Sequence, residues 1–215
     1  MRSKNSDFNL CCDLSFRITG ISIPKDHGYG LFSALSNICG NKLHGAEWLA
    51  IHPILGDVKE NSIYFRNNQS YLKLRIDPKF IPDMYYLCGK TIQINSNLIN
   101  IGNLGVYPLK PCTCLRSWFV IIKNREAVEP DSISFKDAVK RQLDRLGVFH
   151  ANIEIGKEHW LRAGSGNHKG STKGFSVVID NLSDEDSMIV QQNGIGAKQR
   201  MGCGIFNPMR RNNEI

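Results

Sequence analysis

The sequence predicts an α+β protein made of two βαββαβ units that follow one another along the chain. The chain has 215 residues, enough for two domains of about 100 residues each. The apolar residues are spaced as in strands in some segments and as in helices in others, and the same order of such segments occurs twice. Between the two series, proline and glycine interrupt any period at residues 103–113. We therefore expect an N-terminal domain at 1–102, a linker at 103–113 and a C-terminal domain at 114–215.

The first unit begins with a strand at residues 10–19, where apolar and polar residues alternate. Asp26 is a suitable N-cap for a helix that extends to residue 38, because the apolar residues after it recur at helical spacing. Pro78 is typical of the first turn of a helix, and Gly89 of the position after its end. The remaining predicted elements are two strands, a short helix and a closing strand: residues 63–66, 71–76, 78–88 and 90–94.

The second unit repeats this order. Ser134 with Asp137, and Ser183 with Asp186, form S-x-x-D pairs of the kind that cap helix N-termini. Gly194 follows the apolar stripe of the second of these helices and is expected to end it. The predicted elements are strands and helices at residues 115–123, 134–146, 150–155, 158–163, 173–180, 183–193 and 204–206, with 158–163 and 173–180 as the arms of a hairpin.

This element order is that of a ferredoxin-like, or RRM-like, domain, in which an antiparallel sheet carries two helices on one face. RRM sheets bind single-stranded RNA by stacking bases on aromatic residues of the third strand. Residues 173–180, KGFSVVID, begin like that RNA-binding pattern, but Val177 and Asp180 replace its outward-facing aromatic residues. We therefore expect that RNA is not read across this sheet.

The composition favours a polyanionic partner. Lysine and arginine exceed aspartate and glutamate by seven charges, which indicates nucleic acid first and an anionic membrane second. No apolar run is long enough for a membrane span, and the start lacks a signal peptide, so a cytoplasmic protein is expected. The seven cysteines are an odd number without zinc-ligand spacing, which favours reduced thiols and neither a structural metal nor a disulfide framework.

The most specific motif is the glycine-rich loop, residues 194–204, with the sequence GIGAKQRMGCG. Glycine allows positive φ angles and close approach of another backbone, and Lys198 and Arg200 add positive charge at the centre. This combination suits a phosphodiester chain, although composition alone equally favours a plain connection between a helix and a strand. The spacing fits neither a P-loop nor a dinucleotide-binding motif. The glycines of the loop are Gly194, Gly196, Gly202 and Gly204.

The loop resembles the glycine-rich signature of the CRISPR-associated RAMP endoribonucleases, which cut precursor CRISPR RNA within each repeat. The resemblance extends over nearly the whole chain and is closest to the variant of myxobacterial and related cyanobacterial type I systems, some of which serve CRISPR-associated transposons. It implies two ferredoxin-like domains with the loop just before the last strand. The other segments that carry it are DHGYG at 26–30, LHG at 43–45, IHPI at 51–54, LSDEDS at 182–187 and RMGCGIF at 200–206.

The resemblance implies a reaction without metal or other cofactor. The 2′-hydroxyl upstream of the scissile phosphate attacks it and leaves 2′,3′-cyclic phosphate and 5′-hydroxyl ends. Such chemistry needs a base, an acid and positive charge on the phosphorane. His27 is the first candidate, because the positive end of the predicted helix both lowers an imidazole pKa and attracts phosphate. His44 is the second. The alternative for His27 is a local structural hydrogen bond.

The remaining candidates are residues that would contact RNA. Lys25 and Tyr29 flank His27. Lys25 is equally suited to stabilise the phosphorane or to be a solvated surface charge. Tyr29 either orients the ribose or phosphate or, as is more common for such a tyrosine, only packs. A basic hairpin tip and the glycine-rich loop are the other expected contacts. The full set is Lys25, Tyr29, His168, Lys169, Lys173, Gly194, Gly196, Lys198, Arg200, Gly202 and Gly204.

The expected partners are CRISPR repeat RNA, mature guide RNA and other subunits of a type I surveillance complex. A second function uses the same fold only to hold the RNA hairpin, without cleavage. A ribosomal-type RNA-binding protein is a third, which the glycine-rich loop disfavours. The polar side of the helix at 134–146 is either a track for an RNA stem or a solvated face; its cations are Lys136, Lys140, Arg141 and Arg145.

Overall fold

The structure, a computed structural model, describes residues 11–43, 45–66, 69–122, 132–163 and 170–209. The strand pairs between its named strands are all antiparallel and form three sheets. Together with the helices they confirm the predicted α+β class. Within the described ranges, no helix has the length and apolar character that a membrane crossing requires.

The N-terminal half contains a five-stranded sheet and a small three-stranded sheet. Its elements are β1 Cys12–Gly20, β2 Ser22–Pro24, α1 Gly28–Cys39, β3 Leu49–Ile51, β4 Asp57–Lys59, β5 Ser62–Tyr64, β6 Tyr71–Ile76, α2 Ile81–Tyr85, β7 Thr91–Ile94 and β8 Asn97–Pro108. Short 3-10 helices occupy Gly40–Leu43 and Pro78–Phe80. The large sheet has the strand order β3-β6-β1-β8-β7, and the small one β2-β5-β4.

The C-terminal half contains one four-stranded sheet. Its elements are β9 Leu115–Val120, α3 Ser132–Leu146, β10 Asn152–Ala163, β11 Gly170–Asp180, α4 Asp184–Asn193 and β12 Asn207–Pro208, with a 3-10 turn at Gln199–Met201. The strand order is β10-β11-β9-β12. In each large sheet, therefore, the first strand lies at the centre beside the third strand of the predicted βαββαβ unit.

Each half has its own hydrophobic core. On β1, the alternating residues Leu14, Phe16 and Ile18 are almost fully buried and belong to the N-terminal core. In the C-terminal half, Phe135 of α3 packs on Phe175 of β11 with ring centroids 4.8 Å apart. The buried apolar residues of β1 thus follow the period of two expected for a strand with one buried face.

Several predicted helix and strand boundaries are confirmed or nearly so. Helix α4 begins where its S-x-x-D pair predicts, and the Ser183 hydroxyl accepts a hydrogen bond from the Asp186 backbone N–H. Helix α1 begins at Gly28, with His27 rather than Asp26 at the N-cap. The predicted strands at 158–163 and 150–155 are one strand, β10, which a bulge interrupts.

Three predictions about strands and connections are wrong. Residues 103–108 are not linker: they continue β8 and pair with β1 as far as Pro108 opposite Cys12, and glycines in this stretch conceal the strand period. The predicted second strand of the first unit, at 63–66, overlaps β5 in the small sheet, and the three-residue strand β3 takes its place beside β6. The last strand is β12, not 204–206, because Ile205 and Phe206 are buried before pairing begins.

A buried arginine joins the two halves. Arg75 on β6 donates from Nη1 to the backbone oxygens of Gln191 at 3.0 Å and Phe206 at 2.7 Å. Its Nε donates to Asp13 Oδ1 at 2.7 Å, and Nη2 to Asn207 Oδ1 at 3.0 Å. Because Arg75 is 3% exposed, these hydrogen bonds hold the N-terminal sheet against α4 and the final strand.

Candidate active-site cleft and glycine-rich loop

A cleft of about 730 Å³ lies between the two halves; we call it the interdomain cleft. The N-terminal half contributes the segment that leads into α1 and the segment that follows β3. The C-terminal half contributes residues of β9 and β10 and the end of the glycine-rich loop. The lining residues that carry polar or aromatic side chains relevant to RNA are Lys25, His27, His52, Trp118, His159 and Trp160.

His27 is buried in the wall of the interdomain cleft and has both ring nitrogens engaged. Nδ1 donates to the Pro24 carbonyl oxygen at 3.1 Å, and Nε2 accepts the backbone N–H of Ile54 at 3.0 Å. Burial lowers the pKa of His27 below its ordinary value, and these contacts fix the neutral form with its proton on Nδ1. His27 therefore joins the start of α1 to the segment after β3.

The start of α1 contacts the glycine-rich loop directly. A Cβ atom at Gly28 would collide with the carbonyl oxygen of Met201, so only glycine permits this approach. This contact explains a glycine in the first turn of a helix, where it otherwise disfavours helix formation. The close packing brings His27 and the end of the loop to the same cleft.

His52 belongs to the buried network around Arg75. Its Nε2 lies 3.5 Å from Asp13 Oδ1, too long for a good hydrogen bond, and has no other described partner. Burial lowers the pKa of His52. Burial alone would raise the pKa of Asp13, but the contacts with His52 and Arg75 hold that pKa well below its usual range.

A bulge in β10 turns His159 toward the interdomain cleft. Ile155 pairs with Val177 and Glu158 with Phe175, so β10 has one residue more than β11 between these pairs. The extra residue reverses which face each later side chain occupies. Ile155 packs on the C-terminal core, whereas His159, four residues later, lines the cleft. Sequence reasoning missed His159, because an alternation read without the bulge assigns it to the core face.

A second bulge, in β9, lies between Ser117 and Val120. It places two neighbouring aromatic residues, Trp118 and Phe119, at the interdomain cleft. Trp118 is 51% exposed, and the Arg116 guanidinium lies 3.7 Å from its ring centroid. The prediction that the C-terminal sheet offers no aromatic residues for base stacking was based on β11 alone. Trp118 lies on the neighbouring strand β9.

Lys25 lines the interdomain cleft and is exposed, so its ammonium group is available to a phosphate. Tyr29, the second residue of α1, is 41% exposed and is not part of the cleft lining. Of the residues expected beside His27, the structure therefore brings Lys25 to the cleft and leaves Tyr29 on the neighbouring surface.

The glycine-rich loop has the backbone that its sequence predicts. Its four glycines all have positive φ angles, between 62° and 88°. A Cβ at Gly196 would collide with the Ile121 carbonyl, and one at Gly204 with the Ile195 carbonyl. The Ala197 N–H donates to the Ile121 oxygen at 2.7 Å, which ties the loop to the end of β9.

The two cations of the loop, Lys198 and Arg200, do not line the interdomain cleft. They line a second depression of about 740 Å³, the loop groove, together with Gln142 and Arg145 of α3. Lys198 Nζ donates to Thr172 Oγ1 at 3.0 Å. Arg200 Nη1 donates to the Leu43 carbonyl oxygen at 2.8 Å, so Arg200 also joins the two halves.

The remaining candidates are less well placed or lie elsewhere. Lys173 forms an ion pair with Glu158 at 3.0 Å, which neutralises its charge. His44, His168 and Lys169 lie outside the described residues. The four cations of α3 are all exposed or half-buried at its surface. In the part of the chain that the structure describes, no three His, Cys, Asp or Glu side chains come together as metal ligands do.

Comparison with known proteins identifies the family. A sequence model of the family Cas6, described as Cas6 Crispr, matches residues 12–211. The CRISPR-associated endonuclease Cas6 of Myxococcus xanthus (strain DK1622) is 28% identical over 196 residues, which are 91% of this chain and 80% of that protein.

Solved structures share the fold. A CRISPR associated protein Cas6 superimposes with a TM-score of 0.65 at 14% identity, covering 94% of this chain and 99% of the other. An RAMP protein binding different RNA substrates also gives 0.65, at 13% identity, with 93% and 100% covered. Since the family model spans nearly the whole chain, this protein belongs to the Cas6 family of CRISPR-associated proteins.

Proposed function

We propose that this protein is a metal-independent endoribonuclease that cleaves precursor CRISPR RNA within its repeats. The products would be guide RNAs with 2′,3′-cyclic phosphate and 5′-hydroxyl ends, and the protein would keep hold of the repeat hairpin. The observation that carries the proposal is the interdomain cleft, where histidine rings and the ammonium group of Lys25 line one cavity. Family membership and the endonuclease name of the Myxococcus relative support it.

The interdomain cleft suits an RNA strand for a physical reason. Transesterification needs no more than proton transfer and charge stabilisation at the phosphate, and imidazole and ammonium groups supply both. Exposed Trp118 adds a surface on which an unpaired base can stack. Guide RNA and the other subunits of a type I surveillance complex are the partners we infer.

His27 and His44 remain the proposed catalytic histidines on the basis of family resemblance. His27 stands in the cleft wall, but Ile54 N–H must leave its Nε2 before that nitrogen can accept a proton. His44 lies outside the described residues, and its role is a proposal for mutagenesis.

We infer that the RNA stem binds at the loop groove. Lys198, Arg200 and Arg145 bring three cations to this depression, and the positive-φ glycines keep its backbone free of side chains. Lys25, Tyr29, Lys173, His168 and Lys169 would extend the contact around the cleft and hairpin. Each of these contacts is a proposal for mutagenesis.

We also infer that both halves are ferredoxin-like domains in tandem. The order β3-β6-β1-β8 in one sheet and β10-β11-β9-β12 in the other supports this, because each follows the 2-3-1-4 arrangement of a βαββαβ unit. The strand β7 is then an addition at the edge of the first domain.

The alternative is a subunit that binds the RNA hairpin and does not cleave it. The hydrogen bonds of His27 favour this alternative, because they engage both ring nitrogens and leave neither for proton transfer. The experiment that separates the two uses purified protein and repeat RNA from its own locus, beside the same RNA with a 2′-deoxy nucleotide at the cleavage position. An endoribonuclease binds both and cuts only the first, whereas a binding subunit cuts neither.

A further inference from the structure

The histidines that line the interdomain cleft differ in the state of their ring nitrogens. His27 uses both nitrogens in hydrogen bonds to backbone groups. His52 is 6% exposed and faces Asp13 in the buried network. His159 is half-buried, and no described residue forms a hydrogen bond with its ring. Among these three histidines, His159 is therefore the one whose ring nitrogens a substrate can reach without breaking a hydrogen bond between described residues.

The surroundings of His159 fit a reacting nucleotide. Its ring centroid lies 5.7 Å from that of Phe119, which holds one side of the imidazole. Trp118 and Lys25 line the same cleft. One cavity thus offers Trp118 to an unpaired base, Lys25 to a phosphate and His159 to a ribose hydroxyl. The two bulges that flank β11 create this arrangement, and bulges commonly aim side chains at functional sites.

We propose that His159 is a catalytic residue, whose ring nitrogen accepts the proton of the attacking 2′-hydroxyl. The proposal rests on the proposed endoribonuclease function and assigns the proton transfer to the C-terminal half. On the facing wall, the hydrogen bonds of His27 hold the segment after β3 against the start of α1.

The step balances without a further reactant. The 2′-oxygen loses its proton to His159 and forms a bond to phosphorus, while the bond from phosphorus to the 5′-oxygen breaks. The 5′-oxygen takes up one proton, from His159 itself or from water, so the net change is one proton moved from the 2′- to the 5′-oxygen. The ammonium of Lys25 stabilises the negative charge of the phosphorane.

The charges around His159 keep its ring in the form that accepts a proton. Burial lowers its pKa below the ordinary 6.5, and Lys25, Arg116 and Lys157 lower it further. The nearby carboxylate of Glu158 offsets this little, because it is paired with Lys173. At neutral pH the imidazole is therefore unprotonated, as a general base requires.

The first test measures single-turnover cleavage of repeat RNA and equilibrium binding by three proteins: wild type, His159→Ala and His150→Ala. His150 is an exposed histidine that does not line the cleft, so it controls for loss of an imidazole. We expect His159→Ala to lose about 10²–10⁴-fold in rate while binding is retained, and His150→Ala to keep most activity.

The outcomes separate the two proposals. If wild type binds repeat RNA and cuts nothing, the proposed function fails and this inference fails with it. If wild type cuts and His159→Ala cuts within about threefold of its rate, the inference alone is wrong. Added imidazole should restore cleavage by His159→Gly, a result that a purely structural role would not produce; absence of rescue in folded His159→Gly would contradict the proposal.

The second test is the pH dependence of the rate. With His159 as base, the rate falls on the acid side as the ring becomes protonated. Because Lys25 lowers the pKa of His159, Lys25→Met should move this acid limb to higher pH, whereas Lys59→Met, at an exposed site on β4, should not. An acid limb at the same pH in both variants would contradict the role of His159.

Discussion

Gly28 and Met201 approach each other so closely that no side chain fits at position 28, where a Cβ would collide with the Met201 carbonyl oxygen. Gly28 begins α1 in the N-terminal half, and Met201 ends the 3-10 turn of the glycine-rich loop in the C-terminal half. The contact lies beside His27, so the geometry of the interdomain cleft depends on a glycine outside the glycine-rich loop.

Replacing Gly28 with alanine should therefore destabilise the protein by about 1–3 kcal/mol, because the backbone of the loop must shift to admit a methyl group. Urea unfolding measures the decrease in stability. Ser33→Ala, at an exposed position of the same helix, is the matched control and should leave the unfolding midpoint nearly unchanged. A Gly28→Ala protein as stable as the control would show that the loop does not press against α1.

Arg75→Met should loosen the association of the two halves. The substitution removes hydrogen bonds to Asp13, Gln191 and Phe206 and leaves a largely buried carboxylate without its partner. Breaking such a buried pair typically costs about 3–5 kcal/mol. Arg66→Met is the control, because Arg66 and its partner Asp57 are both exposed.

In thermal unfolding, the Arg75 variant should melt well below wild type, or in two steps if the halves separate. The Arg66 variant should melt close to wild type. Equal melting temperatures for the two variants would contradict the interdomain role of Arg75.

Stability should fall as the pH is lowered through the range where histidine titrates. Burial lowers the pKa of His52 and of His27 below 6.5, so below that pH the unfolded chain binds protons that the folded protein does not. The contribution of these two histidines to the free energy of unfolding is complete above pH 6.5. It is lost on acidification, at up to about 1.4 kcal/mol per pH unit for each histidine.

Urea unfolding at about pH 7.5 and about pH 5.5 measures this dependence. His52→Gln should lose less stability between the two values than wild type, because one titrating group has been removed. An identical decrease in the variant would show that His52 takes up its proton in the folded protein as readily as in the unfolded chain.

Lys198→Ala should weaken binding of repeat RNA and reduce its dependence on salt. Removing one phosphate contact lowers the slope of log K against log salt by about 0.7–0.9. Lys198→Ala tests the loop groove better than Arg200→Ala would. Arg200 also donates a hydrogen bond to the Leu43 carbonyl oxygen, so replacing Arg200 would disturb the fold. Lys59→Ala is the control for net charge. An unchanged slope in Lys198→Ala would mean that the loop is structural.

Most helices and strands of ordinary length were predictable because they carry their period in the sequence. Helix α4 with its Ser183 cap and the positive φ of the loop glycines follow from local chemistry. Strand β3 could not be found, since three residues are too few for a period to appear. All of β8 was missed, and Gly102 and Gly105 have no side chains to continue the alternation into the expected linker.

The site was harder to predict because it is formed by contacts between residues distant in sequence. The N-cap position of His27 is local, but its hydrogen bond from Ile54 crosses 27 residues. The orientation of His159 depends on a bulge in β10. Gly156, inside that bulge, is the residue that indicates it, because glycine within a strand often marks a bulge. The positive charge of Arg200 suggested a phosphate contact, while the structure shows it bonded to a backbone oxygen of the other half.

The most direct test of the endoribonuclease proposal is analysis of the RNA ends that the wild-type protein produces from its own repeat RNA in excess EDTA. We expect cleavage at one position in the repeat, with 2′,3′-cyclic phosphate on the upstream product and 5′-hydroxyl on the downstream one. Cleavage that stops in EDTA, or products with 3′-hydroxyl and 5′-phosphate ends, would contradict the proposal.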